Sequence, residues 1–464
     1  MPTSSKTKNK RTGAARITNF SAAQKWLYDH VDHERMRIVP YNERTFNLEK
    51  MEKLLDKLGN PHKLIKTIHI AGTKGKGSTC AMVTAMLANC GYAVGQYTSP
   101  HLVDLRERIA INDQIITHAD LTELFKTIAQ AEEDIKETLS FFEILTATAF
   151  RYFADQAIDV AVIETGLGGR LDSTNVVQPL VTAITQISSD HTNILGKDLA
   201  SIAKEKAGIF KKNVPAISAP QDQNVAAMLD QVAEEQGTKL EMTGRDIDFS
   251  FRFEANKELG PHSRVCIASS TSKFEHFAVP LKGEQQALNC GLALSIIDKL
   301  KNYGFNLPEE KIVNGLAKTT IAGRMEQVLR DPRVIIDGAH NAASIKSLIR
   351  ALGAHIPYDS LILIFGCGQD KDIPGMLKEI SLGADKVIFT RAKANPRAKD
   401  PEELLTEFSE VAGKMAQVAP NLKDSLRLAG RAVSREDIVV ITGSFYLAGE
   451  AKKYFSEHPQ NKKD

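Results

Sequence analysis

Residues Thr67 to Cys80 read T-I-H-I-A-G-T-K-G-K-G-S-T-C, and this stretch constrains the fold more than any other. Thr67 to Ala71 read as a short buried strand, bounded by glycine. Ala81 to Cys90 follow a helical apolar pattern without a breaker. A strand, a glycine loop and a helix start in that order make an anion site. The glycines turn backbone N–H groups toward a phosphate, and the helix N-terminus adds partial positive charge. Lys76 supplies a point charge for a β/γ-phosphate, and Ser78 or Thr79 a hydroxyl near a magnesium ion. The spacing is G-T-x-G-K-G-[ST], tighter than G-x-x-x-x-G-K-[ST], because Gly77 separates Lys76 from Ser78. A plain glycine-rich turn with a solvated lysine would not need so many glycines, lysines and hydroxyls at one helix start. The stretch implies a bound nucleotide.

The rest of the composition narrows the class. At 464 residues the chain exceeds one ordinary core, so two domains are expected. A net charge of +2 gives no global attraction to nucleic acid or anionic membrane. No apolar run approaches the roughly 18 residues that span a bilayer. The N-terminal residues 1–20 are basic and polar without an apolar core, which reads as a disordered tail and not a secretory signal. Cys80, Cys90, Cys266, Cys290 and Cys367 show no C-x-x-C spacing and are odd in number. They read as reduced thiols of a cytoplasmic protein.

In chain order, Phe46 to Leu58 is an amphipathic helix stopped by Gly59-Asn60-Pro61. After the glycine loop come a strand at Tyr92 to Tyr97, a candidate strand at Arg106 to Asn112, and helices over Ala119 to Glu137 and Phe141 to Asp155. Ile158 to Ile163 is a continuous apolar run, as in a buried parallel strand. Further strands are expected at Val181 to Ile187 and Val214 to Ile217, with helices from Leu199 and after Gln221. Ile247 to Pro280 alternates apolar and polar residues, which suggests antiparallel strands at the edge or flank of the parallel sheet. Helices follow at Gly283 to Tyr303 and Pro308 to Lys318. The pattern restarts near Ala322, with apolar runs at Val334 to Ile336, Leu361 to Phe365, Lys386 to Thr390 and Ile438 to Thr442. The expected fold is therefore α/β, with a P-loop NTPase-type parallel sheet domain carrying helices on both faces. A smaller Rossmann-like α/β domain follows it. That second unit lacks G-x-G-x-x-G, so a nicotinamide or flavin has no support.

Polar residues follow the apolar runs directly: Lys76 and Ser78, then Ser99, Glu164, and Asp190 with His191. Ligands of open α/β sheets sit at those carboxyl ends. Glu164 is the best metal candidate. Ser99 in a Ser-Pro turn and His191 alone would both be ordinary, and Lys206 by itself reads as an exposed helix lysine.

These motifs run in the order of a known family. G-T-x-G-K-G-S at Gly72 to Ser78, T-S-P-H-L at Thr98 to Leu102 and E-T-G-L-G-G-R-L-D at Glu164 to Asp172 resemble the Mur-ligase-like family. L-G-N-P at Leu58, F-F-E at Phe141, S-D-H-T at Ser189 and E-K-A-G-I-F at Glu205 are similar to its folylpolyglutamate and dihydrofolate synthase branch. So are G-R-M-E at Gly323, D-G-A-H-N at Asp337, D-K-D at Asp370 and T-G-S-F-Y at Thr442. The resemblance implies an ATP-binding central domain over 21–320 and a C-terminal glutamate-ligase-type domain over 321–464. ATP would lie on Lys74, Gly75, Lys76, Gly77 and Ser78, with Asn289 at the adenine side and Arg324 and Asp337 from the second domain. Two magnesium ions are implied, one on Ser99 and Glu164, the other on His191 and a carbamylated Lys206. The pterin side would be Ser140, Phe141, Phe142 and Glu143 with Leu171, Asp172 and Ser173. A core role for the two phenylalanines stands beside that reading. His340 would orient the incoming amino acid or serve as a capping residue.

The implied activity joins L-glutamate to dihydropteroate or a reduced folate at the expense of ATP, in a cytoplasmic monomer with small-molecule partners only. Lys74 stands where the family usually has asparagine, Ala342 replaces a proline, and Glu284 precedes paired glutamines where histidine is frequent. None removes a phosphate or metal ligand. Alternative readings are a cell-wall amino-acid ligase, against which F-F-E, L-G-N-P and D-K-D stand, and a P-loop NTPase module that performs no ligation.

Overall fold

A computed structural model describes residues 13–32, 42, 45–188, 198–269 and 271–459. Its larger sheet has eight strands in the order β4-β3-β2-β5-β1-β6-β7-β8. They are β1 (Thr67–Ala71), β2 (Val94–Tyr97), β3 (Ile109–Ile111), β4 (Gln114–Ile115), β5 (Val160–Glu164), β6 (Val181–Ile184), β7 (Ala216–Ser218) and β8 (Leu240–Met242). β2, β5, β1, β6, β7 and β8 are parallel, and β3 and β4 are antiparallel at one edge. The central strands β1 and β5 are buried on both faces, which is why they read as apolar runs.

Helices cover both faces. On one side Lys76–Asn89 and Glu284–Leu300 bury Val83, Met86, Leu292 and Ile296 against Ile68, Ile70 and Val162. On the other, His118–Ile135 and Phe141–Asp155 place Phe125, Ile144 and Phe150 against Ala161 and Ile163. The antiparallel strands β9 (Asp248–Asn256), β10 (Gly260–Ala268) and β11 (Lys273–Ala278) form their own sheet. Its Val265, Ile267, Phe274 and Phe277 pack into the cluster around the Glu284–Leu300 helix. It lies on the flank of the large sheet and does not extend its edge.

The second unit is a six-stranded sheet ordered β12-β13-β17-β14-β15-β16. Its strands are β12 (Glu326–Leu329), β13 (Arg333–Ile336), β14 (Leu361–Phe365), β15 (Lys386–Phe389), β16 (Met415–Val418) and β17 (Ile438–Thr442). Only β12 runs antiparallel, and helices again pack both faces. The strand order reverses around β13 and β17, the place where open α/β sheets bind ligands.

Several boundaries differ from the sequence reading. The first helix of the nucleotide motif starts at Lys76, five residues before the apolar pattern, because its first turn belongs to the polar phosphate loop. Arg106 to Asn112 is half strand: Leu105–Arg108 is a 3₁₀ turn capped by Asp104, and only Ile109–Ile111 pairs. The short strands β4, β8, β12 and β16 were not legible, being two to four residues long or half exposed. One part of the contact between the two units is polar. His355 Nδ1 donates to the Pro261 carbonyl (3.0 Å), while its Nε2 accepts from the Gly283 N–H (3.1 Å). Ser347 Oγ donates to Gln285 Oε1 (3.0 Å).

Candidate active site

Gly72 and Gly75 have φ of +146° and +93°, conformations a side chain resists. Space forbids one as well: a Cβ on Gly75 would lie 2.1 Å from Asn289 Oδ1, and one on Gly72 1.8 Å from Thr185 Oγ1. The loop is tied down by Thr73 and Lys74 N–H groups donating to the Gln186 carbonyl (3.0 and 3.3 Å). Its glycines therefore serve close approach and a left-handed turn, leaving the start of the Lys76–Asn89 helix open to an anion. Asn289 is buried against Gly75 and donates to Gln286 Oε1 (3.0 Å), so the long helix before the second unit braces the phosphate loop.

Glu164 ends β5 beside β1 and is only 3% exposed. Its Oε2 accepts the Ser99 N–H (3.2 Å), and its Oε1 lies 3.8 Å from Lys76 Nζ. Burial pushes its pKa up to about 7, opposed by Lys76, the Ser99 N–H, Arg324 and Arg108. Lys76 Nζ also donates to the Gly72 carbonyl (3.2 Å). Lys206, read from sequence as an exposed helix lysine, is 5% exposed and donates to the same carbonyl (2.7 Å). Three-dimensional packing overturns the exposed reading, since the Leu199–Ala207 helix lays its last turn under the phosphate loop. His191 lies outside the described residues.

The second unit faces this group. Asp337, at the end of β13, is buried, and burial pushes its pKa up against the opposing charge of Arg324. Its oxygens accept the Met325 and Ala339 N–H groups (2.9 and 2.8 Å). Arg324 lies over the Phe445 ring at 4.8 Å. His340 Nδ1 donates to the Gly338 carbonyl (2.9 Å), which fixes its ring at the mouth of the Ala342–His355 helix.

The pterin-side candidates also gather. Ser140 and Glu143 form a capping box on the Phe141–Asp155 helix, so Glu143 is already engaged with the Ser140 N–H (2.6 Å). Asp172 is likewise committed: Oδ2 accepts Gly166 and Leu167 N–H groups, both at 2.9 Å. Phe141 is 1% exposed and stacked on Tyr28, a core position, whereas Phe142 is half-buried beside Gly166. Leu171 is buried and Ser173 half-buried.

Of the described residues that the sequence singled out for the site, all except Lys206 line one cavity of about 1400 Å³ between the two units. Sequence reasoning missed Arg108, which is 2% exposed, donates from Nε to His101 Nδ1 (2.9 Å) and lies over Phe141 at 5.3 Å. It also missed Phe445 under Arg324. A buried arginine carries no mark in a run read as a strand, and Phe445 reads as an ordinary helix residue.

Among the described residues no three His, Cys, Asp or Glu side chains gather as a metal cage. Magnesium does not need one, because it keeps waters and phosphate oxygens and takes one or two carboxylates. A buried carboxylate with a raised pKa, flanked by Ser99 and the phosphate loop, fits such an ion.

A phosphate loop on one α/β unit, facing an arginine and a buried aspartate of a second across a large cleft, defines a two-domain ATP-dependent ligase. The chain belongs to the Mur ligase family, in its folylpolyglutamate and dihydrofolate synthase branch. Its residues 70–297 match the Mur ligase middle domain, and 323–445 the glutamate ligase domain of Mur ligases. It is 32% identical over 443 residues to a dihydrofolate synthase/folylpolyglutamate synthase of Bacillus subtilis, covering 94% of this chain and 99% of that one. A Mycobacterium tuberculosis folylpolyglutamate synthase complexed with ADP and AMPPCP superposes with a TM-score of 0.81 at 32% identity, over 88% of this chain and 95% of the other. E. coli FolC in complex with DHPP and ADP gives 0.82 at 28% identity, over 97% and 100%. No helix among the described residues is long and apolar enough to cross a membrane.

Proposed function

We propose that this ligase activates a pterin-bearing carboxylate with ATP and joins it to the α-amine of L-glutamate, serving both as dihydrofolate synthase and as folylpolyglutamate synthase. A carboxylate oxygen of the acid attacks the γ-phosphorus and ADP leaves, giving an acyl phosphate. The glutamate nitrogen then attacks the acyl carbon, loses its proton and expels inorganic phosphate. The observation that carries this reading is the convergence of Lys76, Ser99 and Glu164 with Arg324 and Asp337 on one cavity.

Lys76 neutralises the phosphates from below while Arg324 approaches from the second unit, and together they offset the repulsion between two anionic reactants. Asn289 holds the loop in its phosphate-binding shape through Gly75. Two magnesium ions, when bound, would add Lewis-acid polarisation of the phosphoryl oxygens. Ser99 and Glu164 would hold the first. Lys206 as a carbamate, with His191, would hold the second, and the burial of Lys206 beneath the phosphate loop supports this. His340, fixed by its bond to Gly338, would orient the incoming amine. Phe142, Ser173 and Leu171 would receive the flat heterocycle. Closure of the second unit shields the acyl phosphate from water.

ADP release and incorporation of labelled glutamate should be measured with dihydropteroate in one assay and tetrahydrofolate in another. Labelled product in both is expected. Product in one alone would assign a single branch, and ADP without product in either would sink the ligase reading in favour of an NTPase module. Lys76→Ala should abolish turnover with an unchanged circular dichroism spectrum. Ligation near the wild-type rate in that variant would remove Lys76 from the mechanism.

A further inference from the structure

Leu102 belongs to the first unit by sequence, yet its side chain packs with the core of the second, against the cluster containing Leu447, Ala448 and Ala451. Two glycines of the second unit receive it. A Cβ on Gly449 would stand 2.2 Å from the Leu102 carbonyl oxygen, and one on Gly323 would stand 3.0 Å from its Cδ2. Gly449 lies inside the Phe445–Glu457 helix, where glycine costs about 1 kcal/mol relative to alanine. Close approach of the Leu102 backbone is a physical reason for glycine there.

The two ends of this contact lead to the two halves of the active site. Ser99, three residues before Leu102, donates its N–H to Glu164. The intervening loop is braced, since Glu107 accepts the N–H groups of Leu102, Val103 and Asp104 (2.7, 3.1 and 2.9 Å). On the other side, Gly323 is the chain neighbour of Arg324. Gly449 is one turn along from Phe445, the ring beneath the Arg324 guanidinium.

We infer that Leu102 is a positioning residue: seated between Gly323 and Gly449, it sets the register in which the Ser99–Glu164 loop meets Arg324. The inference rests on the phosphoryl-transfer roles proposed above for those three residues. A leucine whose backbone and side chain both meet glycines of the second unit holds one relative placement of the units, alongside the buried hydrogen bonds of His355.

The test compares Leu102→Ala, Gly449→Ala and Leu102→Met with wild type in full ligation assays, alongside thermal unfolding. Leu102→Ala and Gly449→Ala are each expected to lower kcat by about ten-fold or more, as small misplacements do. The KM for the pterin acid, whose proposed pocket lies in the first unit, should stay within about two-fold. The melting midpoint of the two Leu102 variants should stay within about 3 °C, whereas Gly449→Ala, whose Cβ would stand 2.2 Å from the Leu102 carbonyl oxygen, should lower it further despite alanine's better helix propensity. Leu102→Met, similar in volume, should recover most of the rate. Wild-type kcat in both glycine and leucine variants would overturn the inference. So would a loss of kcat in Leu102→Ala accompanied by matching changes in acid KM and melting midpoint, the pattern of a merely structural contact. A wild-type enzyme that makes no amide sinks the ligase reading itself; variants that ligate as well as a working wild type sink this inference alone.

Discussion

Glu164 shows what a single side chain owes to its surroundings. Its position after an apolar strand was legible, but its raised pKa was not, because burial under Lys76 and Ser99 comes from three separated segments. In the ligand-free protein the value is about 7 against an ordinary 4.5. The folded state then holds a proton that the unfolded chain releases, so the group's stabilising contribution is present below pH 4.5 and lost as pH rises through 7. Glu164→Gln removes that loss. Its stability relative to wild type should therefore climb between those two pH values, by on the order of 3 kcal/mol in total. Urea unfolding of both proteins at pH 5 and pH 8 without magnesium checks this, and a difference that does not change with pH would refute it. Lys206 makes the same point in reverse. Nothing in its local pattern distinguishes it from a solvated lysine, and only the resemblance singled it out before packing placed it under Gly72.

At the scale of elements, period and capping carried most of the reading. The Phe141–Asp155 helix begins and ends where its apolar period does, and Ser140 with Glu143 supplies the capping box that starts it. Ser140→Ala should cost about 1 kcal/mol in chemical denaturation. A larger rise in the KM for the pterin acid than that loss explains would give the hydroxyl a second role at the substrate. Where the period failed, the elements were short. β4 and β12 pair at edges, and their strand character comes from the neighbour they bond and not from their own residues. The helix start at Lys76 was hidden for a related reason, since its first turn is built for an anion and carries no apolar stripe.

For the whole molecule, the cavity between the units is the functional feature, and ATP that touches both should hold them together. At a Mg-ATP concentration about a hundred times its dissociation constant, binding adds about 2.7 kcal/mol. For a chain of this size that raises the melting midpoint by roughly 3 °C. Adding EDTA to the same ATP should largely remove the shift. An equal shift with and without EDTA would show that no divalent ion joins ATP to the site.

What the sequence determined by itself was local chemistry in a fixed order: a glycine loop after a strand, carboxylates and hydroxyls at strand ends, and a second run of α/β elements after Ala322. Periodicity and turn chemistry act over a few residues, so they survive reading in one dimension. Tertiary structure decided which of those residues meet. It buried Lys206, committed Asp172 and Glu143 to backbone N–H groups, laid Asn289 against Gly75, and seated Leu102 in the second unit. Each of these depends on contacts between segments far apart in the chain, where packing and desolvation, not propensity, set the outcome.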